Sequence, residues 1–99
     1  MRPIHTARLD KARAVVVLTR ELVRPYLTRV TVAPITSTVR GLSTEVAVGP
    51  GNGLGHDCVI SCDNIVTIPK GALGPQIGYL LPDQEADLAA AIRSAFDLD

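Results

Sequence analysis

Three hydroxyls and a guanidinium crowd the end of one apolar run. In APITSTVRG, residues 33 to 41, the side chains of Thr36, Ser37, Thr38 and Arg40 come directly after or close behind Ile35. Hydroxyls and an arginine fork suit the oxygens of an anionic ligand. They equally suit a solvated rim where a strand leaves the core. His5 and His56 are the chain's two histidines, so a two-histidine acid/base site is the first enzyme chemistry to consider. His5 lies in RPIHTARL, a first strand, and reads as a satisfied strand residue. His56 stands beside Asp57 after a glycine loop, where an ordinary loop histidine and a substrate contact are both open readings. No G-x-S-x-G elbow and no Ser/His/Asp order is present, so hydrolysis by a serine nucleophile has no support.

Cys58 and Cys62 lie four apart in a strand-like stretch. Their Cα atoms would be roughly 13 Å apart at about 3.3 Å per residue, beyond disulfide reach. With His56 they make H-x-C-x-x-x-C, which lacks a tight ligand pair and a fourth ligand. They read as reduced core cysteines, and neither a metal nor another cofactor is expected.

The elements that must position these residues are mostly strands. AVVVLT at 14 to 19, RVTVAPIT at 29 to 36, TEVAV at 44 to 48, CVIS at 58 to 61 and NIVTI at 64 to 68 are rich in β-branched residues. IGYLL at 77 to 81 adds another. TRELVRPYL reads as one helical turn that Pro25 terminates. GPGNGLG at 49 to 55 is a loop, and no Lys-Ser/Thr follows it to make a phosphate cradle. In PDQEADLAAAIRSAFDL, Leu88, Ala91, Ile92, Ala95 and Phe96 recur at helical spacing behind Asp83 and Glu85, which predicts an amphipathic helix. Short strands, Gly/Pro turns and one covering helix predict a small, mainly β barrel formed by residues 1–99 as a single domain.

Composition narrows the partners. Aromatics are 3% of the 99 residues, too few for a binder that stacks bases along a single strand. The formal net charge is zero, yet through residue 40 eight basic side chains face two acidic ones, and beyond it two face eight. An arginine-rich half suits a polyanion or an acidic partner. AVVVL at 14 to 18 is too short for a signal-peptide core or a membrane span, so a cytoplasmic protein with no membrane partner is expected.

KARAVVVLT, VTVAPITSTVRGLSTEVAV, GLGHDCVISCDNIVTIPKGAL and QIGYLL, in that order, resemble the MazF/PemK family of toxin endoribonucleases over nearly the whole chain. The resemblance implies an SH3-like barrel of the CcdB/PemK type with a C-terminal helix, usually a homodimer in the bacterial cytoplasm. It implies metal-independent, sequence-specific cleavage of single-stranded RNA, held in check by a cognate antitoxin. Carried over residue by residue, the family's catalytic arginine falls on Arg13 and its catalytic threonine on Thr36. Ser37 matches the following family residue, and Asp63-Asn64 occupies the family's Asp-Gln. Ser37, Thr38, Arg40, His56 and Asn64 are the expected RNA contacts.

Two features depart from the family pattern. Ala14 stands where the family usually has proline, and RLDKA before Arg13 is shorter than the family's loop between its first two strands. Two readings keep the barrel without the chemistry: a CcdB-like toxin that binds gyrase through the C-terminal helix, and a non-catalytic RNA-binding barrel. Ile77, Tyr79 and Leu80 are the apolar residues expected to form an isologous dimer interface.

Overall fold

The computed structural model describes residues 2–98, so Met1 and Asp99, the latter counted in the acidic half, lie outside the described residues. Seven strands and one helix follow in order: β1 (Pro3–Arg8), β2 (Ala12–Val17), β3 (Arg29–Thr36), β4 (Glu45–Val48), β5 (Cys58–Ser61), β6 (Val66–Pro69), β7 (Leu73–Tyr79) and α1 (Pro82–Ala95). All strand pairs are antiparallel, in the order β4-β5-β3-β2-β1-β7, with β6 pairing β3 off this path. This is the expected mainly β fold with a C-terminal helix.

The longest strand, β3, organises the rest because it takes three partners. Its first half, Arg29 to Val32, pairs β6; Val32 to Pro34 pair β2; Ile35 and Thr36 pair β5. Side chains alternate across a strand, so β2 and β3, apolar on both faces, contribute to two cores. Val16, Ala33 and Ile35 join Ile4, Val46, Ile60, Leu80 and the helix residues Leu88 and Ala91 in the larger core. Val15, Val17, Val30 and Val32 point the other way and pack with Ala7 and Ile68.

Helix α1 begins where the sequence signals it. Pro82 supplies a preset first-turn φ and Asp83 and Glu85 sit in the first turn. Gln84 reaches back, its Oε1 accepting from the Leu81 N–H at 2.9 Å. Gln84 also belongs to a polar network around Asn52, whose Nδ2 donates to Tyr79 O and Gln84 Oε1 while its Oδ1 accepts from Gly49 N–H. Asn52 is buried and satisfied, so the glycine loop is fastened to both β7 and the helix.

Five expectations need correction. Pro25 does not end a helical turn; it occupies the start of a 3-10 turn at Arg24–Tyr26, where a missing N–H costs nothing. The last strand spans Leu73–Tyr79 rather than 77 to 81, because pairing with β1 decides its bounds. Leu80 is no dimer-interface residue, being fully buried in the larger core, whereas Ile77 and Tyr79 stay exposed. Phe96 lies past the helix end and is exposed, so the helix's inner face is carried by Leu88 and Ala91. The strand expected from residue 64 starts at Val66, since Cys62–Asn64 form a 3-10 turn.

Candidate active site

The cleft is the smaller core's face carried beyond its apolar part. On β2 the residues sharing that face are Arg13, Val15 and Val17; on β3 they are Val30, Val32, Pro34 and Thr36. The register pairs Val15 with Pro34, and continued by two residues it sets Arg13 opposite Thr36. Thr36 also pairs with Val59 on β5, and Ser61 on that strand pairs with Glu45 on β4. Four strands therefore bring polar side chains to one face, where an open cleft of about 530 Å³ is lined by Asp10, Arg13, Thr36, Arg40, Glu45, Ser61, Asp63 and Asn64 among others.

Arg13 is held from its own hairpin. Its Nε donates to Asp10 Oδ1 at 2.9 Å and one Nη donates to Oδ2 at 3.1 Å, a fork-to-fork pair across the β1–β2 turn. The Arg13 hydrogen bonds, aided by its charge, pull the Asp10 carboxyl from 3.8 to about 2. Asp10 in turn raises the already high pKa of Arg13. Five guanidinium donors less two leave three for a ligand.

Thr36 ends β3, and its Oγ1 accepts from the Thr38 N–H at 3.1 Å. This local turn uses one lone pair and leaves the hydroxyl hydrogen free to donate. The following loop is held by Glu45: its carboxylate accepts from Arg40 N–H at 3.1 and 3.2 Å and from Leu42 N–H at 3.1 Å. Between them Gly41 takes φ +72°, in the left-handed region that glycine enters without strain. Arg40 is thereby fixed at the cleft by its backbone, with its guanidinium exposed.

The far wall is the turn after β5. Cys62 is buried and its N–H donates to Thr44 O at 3.0 Å, while Thr44 Oγ1 donates to Asp63 Oδ2 at 2.6 Å. Asn64 Nδ2 donates to Ser61 Oγ at 2.9 Å. Burial first, and then the charge of Asp63, push the Cys62 thiol up to about 11, so it stays a neutral packing group.

Of the residues singled out from sequence, Arg13, Thr36, Thr38, Arg40 and Asn64 meet in the cleft. Ser37 is exposed at the end of β3 and does not line it, and His56 lies on the glycine loop before β5, also outside it. His5 Nδ1 lies 2.8 Å from Gly74 O on the neighbouring strand, as a satisfied strand histidine should. Cys58 and Cys62 are free and buried, and among the described residues no three His, Cys, Asp or Glu side chains gather as a metal site. Sequence reasoning passed over Asp10 and Glu45. The available signal for Asp10 was D-K-A-R, an acid three residues before the arginine at a hairpin tip. Among the described residues no helix is long and apolar enough to cross a membrane.

The chain is 68% identical, over its full length and 96% of the relative's, to endoribonuclease MazF3 of Mycobacterium tuberculosis. It is 33% identical over 86% of its length, and 79% of the relative's, to probable endoribonuclease MazF5 of the same organism. The solved structure of M. tuberculosis toxin MazF-mt6 superposes with a TM-score of 0.97 at 67% identity, covering 99% of each chain. A mycobacterial endoribonuclease in complex with its cognate antitoxin shares the fold, with a TM-score of 0.87 at 24% identity over 98% of this chain and 93% of that one. Residues 2–96 match the family described as PemK-like, MazF-like toxin of type II toxin-antitoxin system, and the chain belongs to that family.

Proposed function

We propose that the protein is the toxin of a type II toxin–antitoxin system and acts as a sequence-specific, metal-independent endoribonuclease on single-stranded RNA, with Arg13 and Thr36 as catalytic residues. Family membership and 68% identity to an endoribonuclease support the activity. The observation that carries the site assignment is the cross-strand neighbourhood of Arg13 and Thr36 on one face at the cleft.

RNA brings its own nucleophile. The ribose 2′-oxygen attacks the adjacent phosphorus, the O2′–P bond forms, and the P–O5′ bond breaks. One proton leaves the 2′-hydroxyl and one joins the 5′-oxygen, giving a 2′,3′-cyclic phosphate and a 5′-hydroxyl. The protein's part is to hold the strand in line and to stabilise negative charge on the phosphoryl oxygens. The three open Arg13 donors serve those oxygens and the leaving 5′-oxygen, since a group with a pKa above about 12 is a charge stabiliser and not an ordinary base. Thr36 donates its hydroxyl hydrogen to a phosphoryl oxygen while Thr38 N–H keeps the Oγ oriented. Arg40, Thr38 and Asn64 hold neighbouring phosphates or bases, and Ser37 and His56 contact RNA only beyond the cleft.

Residues 1–99 act as one catalytic domain in the bacterial cytoplasm. A homodimer joined through exposed apolar side chains such as Ile77 and Tyr79 is the working form. An acidic antitoxin segment competes with RNA for the arginines, with affinity that falls as salt rises. The test is to incubate the protein with long single-stranded transcripts in excess EDTA and map the fragment ends. Discrete cuts bearing 5′-hydroxyl and cyclic-phosphate ends are expected. Intact RNA beside a folded protein would overturn the reading and favour gyrase binding or plain RNA binding.

A further inference from the structure

Glu45 places a carboxylate in a cleft meant for a polyanion, where its charge alone would weaken RNA binding. It is half-buried at the start of β4, and the next residue, Val46, enters the larger core. From that fixed base its side chain reaches back under the β3–β4 loop. Oε1 accepts from both Arg40 N–H and Leu42 N–H at 3.1 Å, and Oε2 accepts from Arg40 N–H at 3.2 Å. Glu45 N–H in turn donates to Leu42 O at 3.1 Å, so one residue closes the loop with both its side chain and its backbone. A second tie comes from α1, where Ser94 Oγ lies 2.6 Å from Ser43 Oγ. The N–H groups on either side of Gly41, at φ +72°, thus converge on a carboxylate as a backbone nest converges on an anion. The Arg40 guanidinium stays exposed beside it.

We propose that Glu45 is a positioning residue for RNA: by filling the nest with an internal anion it presets the β3–β4 loop, so that Arg40 meets an RNA phosphate without its backbone being ordered on binding. An arginine on a loose loop would lose backbone freedom when it docks, and that loss would come off the affinity. Glu45 removes the loss in advance. It touches no reacting atom and acts only through Arg40. Positioning and plain electrostatics therefore predict opposite signs. If the carboxylate merely repels RNA, removing it tightens binding; if it presets Arg40, removing it weakens binding.

This inference rests on the endoribonuclease reading, and one experiment separates the two. Single-turnover cleavage of an end-labelled single-stranded transcript in EDTA is followed against protein concentration, which gives a half-saturation point and a limiting rate. The proteins are the wild type, Glu45→Ala, Glu45→Gln, Gly41→Ala, Arg40→Ala and Glu45→Ala/Arg40→Ala, each checked for folding. Half-saturation should rise about tenfold in Glu45→Ala with the limiting rate unchanged, as losing a charged contact made equally before and during the reaction requires. Glu45→Gln keeps an amide oxygen in place of Oε1, the atom that accepts both N–H groups, and should stay close to the wild type. Gly41→Ala keeps the carboxylate and meets nothing within 4 Å, but strains the left-handed turn, so it should weaken binding as Glu45→Ala does. The double variant should bind no worse than Arg40→Ala. A transcript left intact by the wild type would overturn both readings. A lower half-saturation point in Glu45→Ala, an unmoved one in folded Gly41→Ala, or Glu45 and Arg40 losses that multiply in the double variant would each overturn the positioning role alone.

Discussion

Arg13 and Asp10 are locked fork to fork across a hairpin turn, through two hydrogen bonds of 2.9 and 3.1 Å. The pair is exposed, so its worth is orientation more than stability. It fixes the plane of the guanidinium at the cleft that Arg13 and Thr36 both line. This hairpin is shorter than its family counterpart, and Ala14 lacks the restraint of a proline. Asp10 supplies a restraint on Arg13 from the turn itself.

That pair predicts a titration. Because Asp10 is held at about 2 in the folded protein against an ordinary 3.8, its contribution is present above about pH 4 and is lost as pH falls through about 2. Carboxyl NMR of Asp10 should give a midpoint near 2 in the wild type. In Arg13→Ala it should return towards 3.8, and an unmoved midpoint would mean that Arg13 is not the cause.

The orientation argument also predicts kinetics. Asp10→Ala leaves Arg13 charged but free to rotate, and a small misplacement of a catalytic group costs about 10²-fold. Single-turnover cleavage should slow by about that factor with an unchanged far-UV spectrum. An unchanged rate would show that the fork does not position Arg13.

Gly78 predicts a stability difference. A Cβ there would overlap the Asn52 carbonyl oxygen and lie 3.2 Å from Gly53 Cα, both backbone atoms of a loop fixed by Asn52. Gly78→Ala should therefore lower stability by about 1–3 kcal/mol in urea unfolding. Gly71 has nothing within 4 Å of its added Cβ, and Gly71→Ala should stay within about 0.5 kcal/mol.

Cys62 predicts chemical silence. With its thiol pushed up to about 11 by burial, the neutral form is the one the fold favours, and its contribution is lost as pH rises from 9 through about 11. At pH 8 only about one thiol in a thousand is ionised. Iodoacetamide should leave Cys62 unmodified in the native protein and alkylate it in urea, as peptide mass mapping will show.

Much of this was legible in the chain. β-branched runs announced β3 and β5 with the bounds observed, and helical spacing behind Pro82 announced α1. The strand Leu73–Tyr79 was misjudged because Gly74, Pro75 and Gly78 carry little strand signal; pairing with β1 and the close approach of Asn52 O decide it instead. Arg13 and Thr36 entered through a resemblance, and alternation along β2 and β3 accounts for their shared face. Asp10 and Glu45 stayed hidden since their roles depend on turn geometry: one grips a side chain three residues on, the other three backbone N–H contacts in a loop. Thr36, Thr38 and Arg40 line one cleft, with Thr36 Oγ1 accepting from Thr38 N–H and the Arg40 backbone held by Glu45.

The central claim is that Arg13 and Thr36 act on one phosphate. It is tested most directly by single-turnover cleavage of an end-labelled RNA in EDTA by the wild type, Arg13→Ala, Thr36→Ala and the double variant, each checked for folding. Each single substitution should slow cleavage by about 10²-fold or more, and the double variant should be far less impaired than the product of the two, as residues acting as a unit require. A folded single variant that cuts at the wild-type rate, or losses that simply multiply, would contradict it.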